Sequence, residues 1–198
     1  MNSLSSKIAA CLIACLTVQA IPAQTPAPVV PTLGTYKVEV IIFRNVQPPA
    51  GSEDFGAAPE GRGFSEKRDN SGAVPTVVRA LEESELQMSA LAAKLRTSGA
   101  TQVLAHAGWV QTATNWGRHV GLPLDQFGIN APGLTGTLYL ERGELLHFGA
   151  NLQLGSNPVY SLSELRKVRF NERHYLDNPA FGVIVQVSPL RQQDARQP

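Results

Sequence analysis

Residues Leu162–Pro189, LSELRKVRFNERHYLDNPAFGVIVQVSP, constrain the fold more than any other stretch of this chain. A charge-studded, strand-like segment runs into the turn Asp177-Asn178-Pro179, and a second strand, Phe181–Val187, follows at once. Turn residues between two β-rich runs mark a hairpin, and a hairpin requires antiparallel strands. Alternate residues of an extended chain share one face, about 6.6 Å apart. Lys167, Arg169, Asn171, Arg173 and Tyr175 have one parity, which predicts a basic ladder ending in an aromatic ring. Val168, Phe170 and Leu176 have the other and suit a core, with Arg166, Glu172 and His174 between them. Such a ladder reads either as the solvated outer face of an antiparallel sheet or as a surface for an anionic ligand.

The rest of the chain extends this β pattern. Tyr36–Phe43 alternates Val38, Val40 and Ile42 with Ile41 and Phe43, which predicts a central strand buried on both sides. Gln102–Gln111 reads as a strand. Leu134–Glu141 and Glu144–Leu154 read as a hairpin turning at Arg142-Gly143. In the second of these, Leu146, Phe148, Ala150, Leu152 and Leu154 alternate with His147, Gly149, Asn151 and Gln153, as in a half-buried strand. One helix stands out. Ser84 followed by Gln87 resembles a capping box, Met88, Leu91, Ala92 and Leu95 form an apolar stripe, and Gly99 ends it. Residues Val77–Leu81 extend this helix backwards in the same reading. The expected fold class is α+β, a mostly antiparallel β-sheet with one main helix packed on one face. Val183, Val185 and Val187 share the alternation of Val38, Val40 and Ile42, so both strands are expected deep in one sheet.

The ends of the chain carry different signals. Lys7 followed by the apolar run Ile8–Ala20 has the form of a signal peptide, too short to span a bilayer comfortably. Residues 1–23 are therefore expected to be a leader, and the protein to be exported. Leu12-Ile13-Ala14-Cys15 offers a competing lipobox, which would tie the protein to a membrane through Cys15. Residues 24–33, with Pro26, Pro28 and Pro31, suit an extended tether. Residues 47–72 are glycine-rich with few large apolar side chains, which predicts a long mobile loop. A single domain over residues 34–191 and a flexible tail over 192–198 complete the expected organisation.

Charge and composition narrow the function classes. The chain of 198 residues carries a formal charge of +1, and removing the leader with Lys7 brings it to zero. A neutral chain argues against nucleic acid or bulk anionic membrane as a partner, though not against a local basic patch. Cys11 and Cys15 are the only cysteines, so the domain itself holds neither a disulfide nor thiol chemistry. His106, His119, His147 and His174 lack metal-site spacing, and no nucleophile motif is present. Glu172, His174 and Asp177 do not share a parity, and Asp177 suits the bonding of turn amides. His106 and His147 read as ordinary sheet residues. No enzyme, metal or cofactor is expected. Of the two tryptophans, Trp109 suits a core anchor, while Trp116 sits in a polar loop and suits an exposed platform.

Three blocks of this sequence resemble one family. Leu165–Val168 with Arg169, then Glu172–Pro179 and Phe181-Gly182-Val183, resemble the C-terminal signature of the CsiV family. Tyr36–Arg44 resembles its opening strand. Leu95–Gly99 with Val103–Gln111 resembles its central helix-to-strand block. One position departs, because the family usually has His where Asn178 stands. The resemblance implies a small peptidoglycan-binding protein of the Gram-negative periplasm, without enzymatic activity, that supports cell-wall synthesis. It also implies partnership with a class A penicillin-binding protein through an outer-membrane lipoprotein such as LpoA. Peptidoglycan offers sugar rings that stack on aromatic faces and carboxylates that pair with cations. The candidate ligand-binding residues are accordingly Arg166, Lys167, Arg169, Arg173, Tyr175 and Trp116. A periplasmic protein–protein adaptor without glycan affinity is the alternative.

Overall fold

A computed structural model describes residues 34–47, 75–157 and 159–190. The leader, the tether, nearly all of the 47–72 segment and the tail lie outside the described residues. Ten strands and one α-helix follow in the order β1 (Thr35–Asn45), β2 (Val77–Ala80), α1 (Ser89–Thr97), β3 (Thr101–Thr112), β4 (Thr114–Asn115), β5 (Leu122–Pro123), β6 (Leu134–Arg142), β7 (Leu146–Leu154), β8 (Tyr160–Val168), β9 (Arg173–Asn178) and β10 (Phe181–Pro189).

The strands divide between two sheets. The first has the order β2-β3-β1-β10-β9; the second runs β4-β6-β7-β8, with β5 also paired to β6. β1 lies at the centre of the first sheet, as its two-sided apolar pattern predicts. Val38 pairs with Val187, Val40 with Val185 and Ile42 with Val183 across β1 and β10. These valines and Ile42 are fully buried and face the second sheet, where Leu138, Leu140, Phe148, Ala150 and Leu152 meet them in one core. The opposite face of β1 carries Ile41 and Phe43, which pack against Met88 and Ala92 of the helix region, with Leu91 and Leu95 alongside. The expected helical stripe and its docking on one sheet face are thus present. The second sheet is a layer that the single-sheet expectation did not include. Its strands have one apolar face each, and such a face must be covered by another element. The first sheet needs two covers, and it has the helix on one side and the second sheet on the other.

The helix start differs from the expectation. Residues Glu83–Glu85 form a 3-10 turn with a capping box between Glu82 and Glu85, and α1 begins only at Ser89. Ser84 caps nothing. The orphan amides at the start of α1 go to the buried carboxylate of Glu39, on the neighbouring strand β1. It accepts from the backbone N–H of Gln87 at 2.7 Å and of Met88 at 2.8 Å. His106 Nε2 lies 2.7 Å from the same carboxylate, so His106 is an interior partner rather than an ordinary sheet residue. A negative charge at a helix N-terminus is favourable, and here strand β1 supplies it. Residues Val77–Ala80 do not extend the helix. They form β2, an edge strand beside β3.

The predicted basic ladder is broken in the middle. β8 ends at Val168 in the second sheet, and β9 starts at Arg173 in the first. Between them Phe170 bridges Val187, and the Asn171 N–H donates to Val187 O at 2.8 Å. Asn171 has φ 61°, a left-handed conformation that asparagine tolerates better than most residues. Ser188 Oγ donates to its side chain at 2.7 Å. The chain therefore swings between sheets at Arg169–Glu172, and parity is not carried across the swing. The hairpin β9–β10 is present, and its turn amide is satisfied by Asn178, not Asp177. The Ala180 N–H donates to Asn178 Oδ1 at 2.9 Å, while Asn178 Nδ2 donates to Ser161 O at 3.0 Å.

Candidate ligand-binding surface

The six sequence-predicted site residues fall into separate places. Arg166 has the core-facing parity of β8, on the edge of the second sheet. Its guanidinium is paired with Glu164, Nε to Oε1 at 2.8 Å and Nη2 to Oε1 at 2.7 Å. An inward charge pair on an edge strand discourages pairing with another chain. Lys167 has the opposite parity and lies on the outer face of the second sheet. Arg169 sits in the swing, exposed, with its Nη1 3.7 Å from Glu172 Oε1. Arg173 and Tyr175 lie on the helix side of the first sheet. The Tyr175 ring stacks on Phe43 at 6.1 Å between centroids and lies over Gly182, where a Cβ would come within 2.6 Å of it. Burial and the nearby Asp177 carboxylate raise the Tyr175 hydroxyl pKa. Arg166, Lys167, Arg169, Arg173 and Tyr175 thus form no single face.

Trp116 and Lys167 do share one. Trp116 follows β4, which runs parallel beside the end of β6, with Asn115 opposite Arg142. The Trp116 N–H donates to Arg142 O at 3.1 Å. The next residues turn tightly around the fully buried carboxylate of Glu141. It accepts from Gly117 N–H at 3.0 Å, from the His119 N–H, and lies 3.1 Å from His119 Nδ1. Gly117 has φ 81° and His119 φ 50°, so this turn is held in left-handed backbone by its bonds to Glu141. The turn sets the indole over His147, with ring centroids 3.8 Å apart and 34° between planes. Gly143 leaves room for it, since a Cβ there would lie 3.0 Å from Trp116 Cβ.

The sheet register completes the surface. Glu141 pairs with His147 across β6 and β7, and His147 pairs with Lys167 across β7 and β8. Glu141, His147 and Lys167 therefore form a row across the outer face of the second sheet, with the indole lying on its middle member. Trp116 remains 50% exposed and Leu145 beside it 45%. Burial lowers the His147 pKa, and the Lys167 charge adds to the shift against the opposing pull of Glu141 and the Leu145 backbone. A neutral imidazole can support the indole from below without adding a charge. The result is a flat aromatic face with one exposed ammonium beside it. At the same end of the molecule Phe170 stacks on Tyr36 at 5.8 Å, with the Arg142 guanidinium 5.8 Å from its centroid.

Sequence reasoning missed Glu141, His119 and His147 as parts of this surface. The signal was present in the β6–β7 loop. A turn at Arg142-Gly143 would set Glu141 opposite Glu144. The actual loop is Gly143-Glu144-Leu145, closed by Gly143 N–H to Leu145 O at 3.0 Å, and it brings Glu141 opposite His147. Trp109 is a core anchor as expected, 1% exposed and stacked on Phe127 at 4.0 Å. Among the described residues no group of three or more His, Cys, Asp or Glu is placed to hold a metal ion. None of the described helices is long and apolar enough to cross a membrane.

The sequence profile of the CsiV family, described as peptidoglycan-binding protein, matches residues 7–190. The chain belongs to the CsiV family. That profile takes in every described strand, both sheets and the Trp116 surface. Membership makes peptidoglycan the ligand class of the family and the cell envelope its setting. No curated protein and no solved structure gives a significant match to the chain.

Proposed function

We propose that this CsiV-family protein is a non-enzymatic periplasmic protein that holds peptidoglycan on the Trp116 surface and so supports cell-wall synthesis. The observation that carries the reading is the indole stacked on His147 with Lys167 next in the same row. A sugar ring stacks on an exposed aromatic face, and an ammonium beside it pairs with a lactyl or stem-peptide carboxylate. The Trp116 backbone is fixed by its own bond to Arg142 O and by the bonds of Gly117 and His119 to Glu141 before any ligand arrives, so little ordering is needed on binding. A protein so anchored to the wall could bring a class A penicillin-binding protein, through an LpoA-like outer-membrane lipoprotein, to its substrate. Leader residues 1–23 and cleavage near Ile21 or Gln24 fit that setting; an acylated Cys15 in the purified protein would instead fit a lipid-anchored form.

Co-sedimentation with purified sacculi tests the reading. Trp116→Ala and Lys167→Ala are each expected to weaken pelleting about tenfold, close to 1.4 kcal/mol, with the fold retained in both and the melting temperature unchanged in Lys167→Ala. Arg169→Ala combined with Arg173→Ala is expected to pellet like the wild type. The reverse pattern would move the site to the Arg169, Arg173 and Tyr175 side. A wild-type protein that stays in the supernatant would favour the adaptor reading.

A further inference from the structure

A second site lies at the other end of β7, where the two sheets part. We propose that this cleft binds the free carboxylate end of a short peptide. Its volume is about 310 Å³, at the small end of the range for ligand-binding pockets. Arg44, Asn45, Val46, Leu154, Tyr160 and Ala180 line it. Arg44 is the key residue. It continues the core-facing series Val38, Val40, Ile42, and pairs with the buried Phe181 across β1 and β10. Its parity therefore sends a guanidinium towards the space between the sheets, where Val38, Val40 and Ile42 are aliphatic core residues. Among the described residues no carboxylate pairs with Arg44, and no Asp or Glu lines the cleft.

The chemistry of the lining selects the ligand. A guanidinium presents a planar fork that matches a carboxylate in two parallel hydrogen bonds. Leu154, Val46 and Ala180 supply apolar walls for a small side chain. Asn45 Nδ2 donates to Pro179 O at 2.8 Å, which fixes the amide, and its Oδ1 accepts no hydrogen bond among the described residues. That oxygen can take the N–H of the residue that carries the carboxylate. A peptide terminus meets all three demands together. The site is distinct from the Trp116 surface, and the inference does not depend on it.

The test uses the purified protein and N-acetyl-alanyl-alanine as probe, in its free-acid and amide forms, followed by amide chemical shifts. The acid is expected to shift Asn45, Val46, Tyr160 and Ala180, and the amide form to bind about tenfold more weakly or worse. Arg44→Gln is expected to lose affinity for the acid to the same degree, and Val46→Trp to block it by filling the mouth. Both positions are exposed, so both variants are expected to keep the wild-type strand spectrum. Trp116→Ala is expected to bind the acid as the wild type does. Equal binding of acid and amide overturns the proposal, as do shifts confined to other surfaces, no shifts at all, or an Arg44→Gln variant that binds normally. Octanoate binding more tightly than the peptide overturns the peptide assignment.

Discussion

Glu39 and Glu141 are buried on opposite sides of the molecule, and each is surrounded in the same way. Each accepts two backbone N–H groups from a chain reversal and contacts one histidine, His106 or His119. A buried carboxylate is costly unless its lone pairs are filled, and backbone amides fill them with charge-assisted bonds. Neither histidine is near its carboxylate in sequence, so neither pairing is legible from spacing. Glu39 holds the start of α1, and removing it strands two amides and a buried imidazole. Glu39→Ala is therefore expected to cost about 3 kcal/mol in urea unfolding. Glu39→Gln keeps one acceptor oxygen and is expected to cost clearly less. A loss under about 1 kcal/mol in the alanine variant would mean that the helix start is satisfied without this residue. Trp116 was legible as an exposed ring because polar residues surround it in sequence. What lay beneath it was not, because the partner His147 depends on a hairpin register that a turn read at Arg142-Gly143 displaces by three residues.

At the scale of elements, the strong signals were the periodic ones. The stripe Met88, Leu91, Ala92, Leu95 faces the first sheet, and β1 and β10 are neighbours with their valines in register. The stripe is unequal, however. Met88 is fully buried against Ile41 and Phe43, whereas Leu91 is only partly covered. Met88→Ala is expected to cost about 2–5 kcal/mol and Leu91→Ala less, because a half-covered side chain leaves a smaller cavity. Thermal or urea unfolding of the two variants checks the order; a larger loss at Leu91 would mean that α1 is rotated from the described pose. The weak signals failed for local reasons. Val77–Ala80 has the residues of either element, and its β state comes from the edge of β3 that it covers. The segment from Leu162 to Leu176 reads as one strand because nothing in its alternation announces Asn171's left-handed turn. The break places Lys167 and Arg173 on outer faces of different sheets, so a five-residue ladder becomes two short surfaces.

The described residues are held by one core shared between the sheets, with Trp109 inside it and the helix as an outer layer. Neither sheet can keep its apolar face dry without the other, so the two are expected to unfold together. Trp109 fluorescence, read in a Trp116→Phe background, and far-ultraviolet circular dichroism should give superimposable urea transitions. Transitions that separate would mean that the sheets are independent units. By itself the sequence determined the β-rich α+β class, the central position of β1, the helical stripe, the final hairpin and the family, because these rest on residue periodicity and on contiguous motifs. Tertiary structure alone decided that the strands form two sheets, that Glu39 caps a helix from a neighbouring strand, that Trp116 lies on His147 beside Lys167, and that Arg44 stands at the mouth of a cleft. Each of those depends on a pairing between residues far apart in the chain, and register across strands is set by packing of the whole core rather than by any local preference.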